Sequence, residues 1–331
     1  MRYNYVIFNY TDSISSFDEE EDYYALCLRD LKNRNDIILN HIPLQEKSSF
    51  IRFLYRLSNW RFWGKVCYHL RLQKLWYPYI YENVFQDDKP ICFVCLRYPS
   101  IDYLRYLKKR YPNSKIVKMS RDIIRTQREI YEKYSKANIF DLWLSYDKND
   151  CKEYGFLHFD EFESKIEISA SEQFPTSDFF FAGRAKDRYS LLVELYDKLE
   201  QQGFNCLFYL VGVKEADKMK RKGIKYADTP MSYLDMLRYS INSKCLLDIN
   251  QEGALGYTSR FIEAVMFDKY LLTNNIDVTK SKFYNSNYIK VINKIEDIDA
   301  SFINGHTPEY NYDGDFSPLK RIEYIDKMLS K

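Results

Sequence analysis

The chain has 331 residues, 46% hydrophobic and 17% aromatic, more than one ordinary core accommodates and suited to two domains of roughly 150 residues each. A formal net charge of +2 excludes a global nucleic-acid footprint, so any basic surface is local and no nucleic-acid partner is expected. No stretch approaches ~20 consecutive apolar residues, so no spanning helix is expected. The seven scattered cysteines fit reduced thiols in a cytosolic protein.

The amino-terminal run "YNYVIFNY" is a first strand, where a signal peptide would need a longer apolar region and a small-residue cleavage site. Further strands follow at "DIILNHI", "PICFVCL", "SKIVKMS" and "DLWLSYD", with helices predicted between them at about 18 to 33, 46 to 76, 100 to 110 and 121 to 136. Cys92 and Cys95 form a C-x-x-C. Their setting is a buried strand, and no second Cys or His pair stands at zinc spacing, so they are ordinary small hydrophobes.

One helical region departs from the background. Residues 47 to 81 carry seven Lys or Arg and no acid, with aromatics interleaved. Such a segment suits an anionic membrane face, or a helix packed on the first sheet whose cations reach back to water.

Periodicity fades near residues 164 to 177, and the pattern restarts with "SDFFFAG", "NCLFYLVG", "IKYAD", "KCLLDIN", "KYLLTNN" and "YIKVI". Short β-type runs alternating with helices predict an α/β chain of two Rossmann-like, doubly wound units with parallel sheets. The expected domains are 1 to 165, 166 to 315, and a final helix in 316 to 331 that crosses back to the first.

Parallel sheets bind ligands beyond the carboxyl ends of their strands, so the loops there are the candidate sites. Gly183 and Gly212 end apolar strands, and Gly183 is followed by Arg184, Lys186 and Arg188 around a helix entry. Cations there gain nothing from the helix dipole and point to a shared anion such as phosphate, although a basic turn balanced by Asp187 has the same composition.

In "NQEGALGYTSRFIEAV" the glycines Gly253 and Gly256, with Thr258, Ser259 and Arg260, offer backbone amides, hydroxyls and a guanidinium at a helix start. Glu263 follows Ser259 by four residues, so it is not the acid of a capping box built on that serine. A carboxylate just past a phosphate site can accept both hydroxyls of a ribose.

The stretch "GYTSRFIEAVMFDKYLLTNN" resembles the nucleotide-binding segment of GT-B glycosyltransferases. "MSYLDMLRYSINSKCLLDINQ", "FFFAGRAKDRYSLLVELYDKLEQQGF" and "DLWLSYDKNDCKEYGF" are similar to neighbouring parts of bacterial surface-polysaccharide and lipopolysaccharide enzymes of that class, so that the likeness spans roughly 140 to 295. The resemblance implies two Rossmann-like domains facing a cleft, a nucleotide sugar bound by the second, and a glycan or lipid-linked acceptor bound by the first. It further implies that Glu263 holds the donor ribose, that Gly256, Thr258, Ser259 and Arg260 line the diphosphate with Gly183, Arg184 and Lys186 opposite, and that Tyr233 lies where the base is held.

No cofactor is expected beyond the donor itself, and no metal. The Asp-x-Asp letters at 297 to 299 and 313 to 315 lie late and outside a suitable strand end. An inverting reaction needs a base to deprotonate the acceptor, and His41 and Asp12, both just after strands, are the candidates, with Asp122 and Asp147 behind them. Turn capping is the other reading of Asp12. The expected protein is a cytosolic enzyme, peripheral on the inner face of the plasma membrane if 47 to 81 docks there. A non-catalytic nucleotide-sugar binder, or a sugar epimerase or polyol-phosphate transferase on the same scaffold, would share most of these features.

Overall fold

Apolar runs too uniform to be half-exposed become parallel strands covered on both faces. The computed structural model describes residues 1–9, 22–40, 48–58, 60–250, 256–296 and 298–330, and these form two parallel sheets of six strands each. The first contains β1 (Asn4–Phe8), β2 (Ile37–Asn40), β3 (Ile91–Cys95), β4 (Lys115–Ser120), β5 (Leu142–Ser145) and β6 (Leu157–His158), in the order β2-β1-β3-β4-β5-β6. The second contains β7 (Ser177–Arg184), β8 (Cys206–Val211), β9 (Ile224–Ala227), β10 (Ser243–Asp248), β11 (Tyr270–Thr273) and β12 (Ile289–Val291), in the order β12-β11-β10-β7-β8-β9.

Helices α1 (Tyr23–Cys27), α2 (Ser49–Ser58), α3 (Arg61–His69), α4 (Ile101–Arg110), α5 (Arg128–Ala137), α6 (Lys148–Tyr154), α7 (Tyr189–Gln201), α8 (Tyr233–Ile241), α9 (Ser259–Met266) and α10 (Pro318–Met328) connect or flank the strands.

The chain divides into two compact units. One comprises Met1–Glu20, Leu28–Phe159 and Pro318–Lys331, the other Glu21–Cys27 and Asp160–Ser317. In the first, Val6, Phe8, Phe93 and Cys95 on one face of the sheet pack with Tyr103, Leu104 and Leu107 of α4. Helix α10 joins this unit through Asp326, which accepts hydrogen bonds from the amide of Arg2 at 2.8 Å and the hydroxyl of Tyr5 at 2.9 Å.

In the second unit β7 shows why three successive phenylalanines make a strand. Phe179 and Phe181 face Leu192, Leu195 and Tyr196 of α7, whereas Phe180 faces Phe261 and Val265 of α9 on the other side. Consecutive side chains on opposite faces, all buried, are what a helix on each side of a sheet requires.

All the strands expected from sequence form. The two-residue β6 is additional, too short to leave an apolar signature. The expected helix over 46 to 76 is instead α2, α3 and two 3₁₀ turns at Leu72–Leu75 and Tyr77–Tyr79. At the break, the Ser58 hydroxyl donates to the Tyr55 carbonyl at 2.6 Å, one of the local bonds through which serine competes with a continuing helix. Of the expected helix over 18 to 33, residues 18 to 21 lie outside the described residues and the rest holds α1 and a 3₁₀ turn at Arg29–Leu31, and that over 121 to 136 becomes a 3₁₀ turn at Ile124–Gln127 followed by α5.

Candidate functional site

In the second sheet the strand order reverses direction between β7 and β10, because β8 and β9 lie to one side of β7 and β10 to β12 to the other. Two loops diverge at such a switch point and leave a crevice beyond the carboxyl ends of the strands. Gly183 and Arg184 end β7 there, and Asp248 ends β10.

Arg188 spans this point. Its guanidinium donates to the carbonyl of Arg184 at 3.1 Å and to the carbonyl of Ile249, while it stacks 5.3 Å from the ring centre of Phe181. The Nε–H of Arg188 is buried without a hydrogen-bond partner. Arg184 and Lys186 beside it are exposed.

The chain after β10 turns into α9. Residues 251 to 255, including Gly253, lie outside the described residues. At Gly256 φ is +108°, a conformation that a side chain disfavours. Two residues from the next loop pin it: the Gly256 amide donates to Asp277 at 3.1 Å, and its carbonyl accepts from the Asn275 amide group at 2.7 Å.

Thr258 then caps α9, its hydroxyl accepting from the Phe261 amide at 3.1 Å. The first amides of the helix, at Ser259 and Arg260, have no acceptor within the helix and are available to an anion. Asp248 at the foot of this loop accepts from the Thr273 hydroxyl at 3.0 Å. Burial raises its pKa, against hydrogen bonds from Thr258 and Thr273.

Glu263 is fully buried on the second turn of α9. One carboxylate oxygen, Oε2, is held by the Arg260 guanidinium and by the Ser240 hydroxyl at 3.5 Å; the other, Oε1, is buried without a partner. Burial pushes the carboxyl up to about 8, with Arg260 opposing the shift and the nearby Glu163 adding to it. Arg260 also donates to Ser240 at 3.1 Å and to the Ala182 carbonyl at 3.5 Å, and it lies over Phe180. In this structure Arg260 is therefore drawn in against the Glu263 carboxyl and tied to the end of β7, and only 11% of its side chain is exposed.

A second buried carboxylate joins the cluster. Glu163 accepts from the Tyr233 hydroxyl at 2.6 Å and from the Tyr23 hydroxyl at 3.3 Å. Tyr23 also lies 3.4 Å from the Ser259 hydroxyl, and its ring meets that of Tyr233 edge-on at 4.9 Å. Burial and the two carboxylates drive the Tyr233 phenol well above its ordinary pKa.

The residues expected at a donor site thus fall into three groups. Thr258, Ser259, Arg260 and Glu263 share one helix start; Gly183, Arg184 and Lys186 lie at the neighbouring strand end; Tyr233 is joined to the helix start through Glu163 and Tyr23. Sequence reasoning missed Tyr23, Glu163, Ser240, Asp248, Asn275 and Asp277. Only Asp248 carried a local signal, as the acid ending an apolar strand. The others are brought in from distant segments.

In the first unit the candidate bases Asp12 and His41 lie outside the described residues. Asp147 caps α6, accepting from the Asn149 and Asp150 amides at 2.9 Å, and Asp122 accepts from Gln127 at 3.0 Å. Cys92 and Cys95 are buried free thiols in β3. Asp299 caps a 3₁₀ turn, Asp315 pairs with Lys282 at 2.7 Å, and Asp297 lies outside the described residues. Among the described residues no group of three or more His, Cys, Asp or Glu is arranged to hold a metal ion, and no helix is long and apolar enough to cross a membrane.

Neither a protein-family model nor a curated protein matches the chain. Among solved structures, it is similar to Anabaena HepE in complex with UDP and glucose, with 11% identity over 99% of this chain and 100% of that one and a TM-score of 0.53. It also aligns with the apo lipopolysaccharide outer core galactosyltransferase WaaB, at 11% identity over 89% of this chain and 84% of that one with a TM-score of 0.42. A glycosyltransferase from Rickettsia africae aligns at 11% identity over 99% and 89%, with a TM-score of 0.40. The end-to-end likeness to HepE shows the fold: two Rossmann-like units, each built on a six-stranded parallel sheet, as the GT-B resemblance implies.

Proposed function

We propose that the protein is a glycosyltransferase of the GT-B kind that binds a nucleoside-diphosphate sugar at the carboxyl edge of the second sheet and transfers the sugar to a hydroxyl of a glycan or lipid-linked acceptor. The observation that carries this reading is Glu263. A fully buried carboxyl group with one oxygen anchored and the other unpartnered is costly unless a ligand supplies a hydrogen-bond partner, and it stands one helical turn beyond a helix start suited to an anion at a strand switch point. The vicinal hydroxyls of a ribose next to a diphosphate match that spacing of acceptor and amides. HepE, crystallised with UDP and glucose, has the same fold, which agrees with this reading.

In this scheme the acceptor oxygen bonds to the anomeric carbon as the bond from that carbon to the diphosphate oxygen breaks. The acceptor proton passes to a base in the first unit, for which His41 and Asp12 are the candidates, and the leaving nucleoside diphosphate keeps the bonding electrons. Its charge is met by the α9 amides together with Arg184, Lys186 and Arg188, of which Arg188 is already held in place by the carbonyls of Arg184 and Ile249 and needs no reorganisation as charge develops. No metal is assigned a role. A surface-polysaccharide or lipopolysaccharide acceptor and a cytosolic location are the finer parts of the proposal.

The test is thermal unfolding with UDP, GDP, CDP and their sugars, since a ligand stabilises in proportion to its affinity for the folded state. At least one should raise the Tm of the wild-type protein, and Glu263→Gln should lose most of that increase. If no nucleotide or nucleotide sugar shifts the Tm, the proposal fails. If a nucleotide sugar is rearranged with no acceptor present, the enzyme is an epimerase.

A further inference from the structure

We propose that the α2–α3 hairpin and the basic groove beside it form a docking site for an anionic lipid bilayer. Helix α2 turns Ile51, Leu54 and Tyr55 toward the core of the first unit, and α3 contributes Cys67, so the hairpin is already seated through one face. A second apolar face remains uncovered: Phe50 and Phe53 on α2, Phe62 and Trp63 on α3, with Trp60 between the helices and Tyr68 and Leu70 at the end, are 42–69% exposed.

Of the fourteen large hydrophobic residues exposed among the described ones, nine fall between Phe50 and Tyr79. Scattered exposed apolar residues are ordinary, whereas this clustering on one helical hairpin and the turns that follow it marks an interaction surface.

Charge selects the partner. Arg56, Lys65, Arg71 and Lys74 are exposed on the same segment, and residues 47 to 81 contain no acid. Where the hairpin meets α4, a groove of about 950 Å³ is lined by Tyr68, Arg71, Lys74, Arg105, Lys109 and Arg110, and among the described residues the only acid in its lining is Asp102. Large aromatics beside a dense basic rim, in a chain of net charge +2, are complementary to a surface with an apolar interior and phosphate headgroups. A protein partner would have to supply a similarly large acidic rim around an apolar centre. A second copy of this chain presents the same basic rim and is repelled.

The inference stands apart from the donor site, since all these residues belong to the first unit. The full chain should cosediment with vesicles containing phosphatidylglycerol and not with pure phosphatidylcholine vesicles, and added salt should weaken the binding. Trp60 and Trp63 are the more exposed of the four tryptophans, so emission should shift to the blue and be quenched by lipids brominated near the headgroup. The exposed-face double substitution Phe53→Ser and Phe62→Ser should lower the partition coefficient about tenfold or more, with unfolding unchanged. Arg105→Glu with Lys109→Glu should remove the preference for anionic lipid. Failure to bind anionic vesicles, binding indifferent to both pairs of substitutions, or self-association that shields the tryptophans in place of vesicle binding would each overturn the proposal.

Discussion

Glu263 and Lys118 are buried ionisable groups whose surroundings move them in ways that stability measurements can read. The Glu263 carboxyl is held at about 8 against an ordinary 4.5, so the folded protein retains a proton that the unfolded chain has lost between those values. Its contribution is full below about 4.5 and is lost as the pH rises toward 8. Lys118, on β4, donates to the carbonyls of Leu96 at 3.0 Å and Met119 at 2.8 Å and lies 4.4 Å from the ring centre of Tyr98; burial lowers it from 10.5 to about 7. Here the unfolded chain binds the extra proton, so stability rises as the pH climbs from about 7 toward 10.5. Urea unfolding across pH should show both slopes, each at most about 1.4 kcal/mol per pH unit. Glu263→Gln should flatten the fall on the acid side of 8, and Lys118→Met the rise on the alkaline side.

At the scale of elements, α9 concentrates the site because its start and its body serve different purposes. The Thr258 cap ends the unpaired state of one amide, while Phe261 to Met266 are all buried and fix the helix on the sheet face over β10 and β11. Thr258→Ala should cost about 1 kcal/mol in unfolding free energy and Thr258→Ser much less, since only the capping oxygen matters. Equal losses in the two variants would show that the methyl group, and not the cap, holds this helix start. The sequence was informative about this element: the Gly-Tyr-Thr-Ser order marked a helix start, and the apolar spacing marked the helix, whereas the Thr258 cap is a finding of the structure. It did not reveal that Arg260 is drawn inward to Glu263. An arginine at a helix start is equally compatible with an anion in front of it or a carboxylate behind it, and the choice depends on where Ser240 and Ala182 fall in space.

For the whole molecule, the seven cysteines report on how completely two cores are filled. Six are buried and Cys151 is partly so, all as free thiols. Burial raises several of them, Cys95 and Cys206 to about 12 and Cys151 to about 11, which leaves little thiolate at neutral pH. A thiol reagent should therefore label at most Cys151 at an appreciable rate in the native protein, and all seven cysteines in denaturant. Rapid native labelling of Cys92 or Cys95 would mean that β3 opens far more readily than its fully buried side chains indicate.

The sequence by itself determined that this is an α/β chain with two doubly wound parallel sheets, because strands buried on both faces must be written as short unbroken apolar runs and the helices between them as one-sided patterns. It also located the loop and helix of the candidate site, since turns and caps are local chemistry. Only the tertiary structure decided that Tyr23, Glu163 and Ser240 belong to that site, that segment 22–27 packs with the second unit, and that α2 and α3 leave a face uncovered. Those outcomes depend on which distant side chains meet when the sheets are covered, and no periodicity along the chain encodes such a meeting.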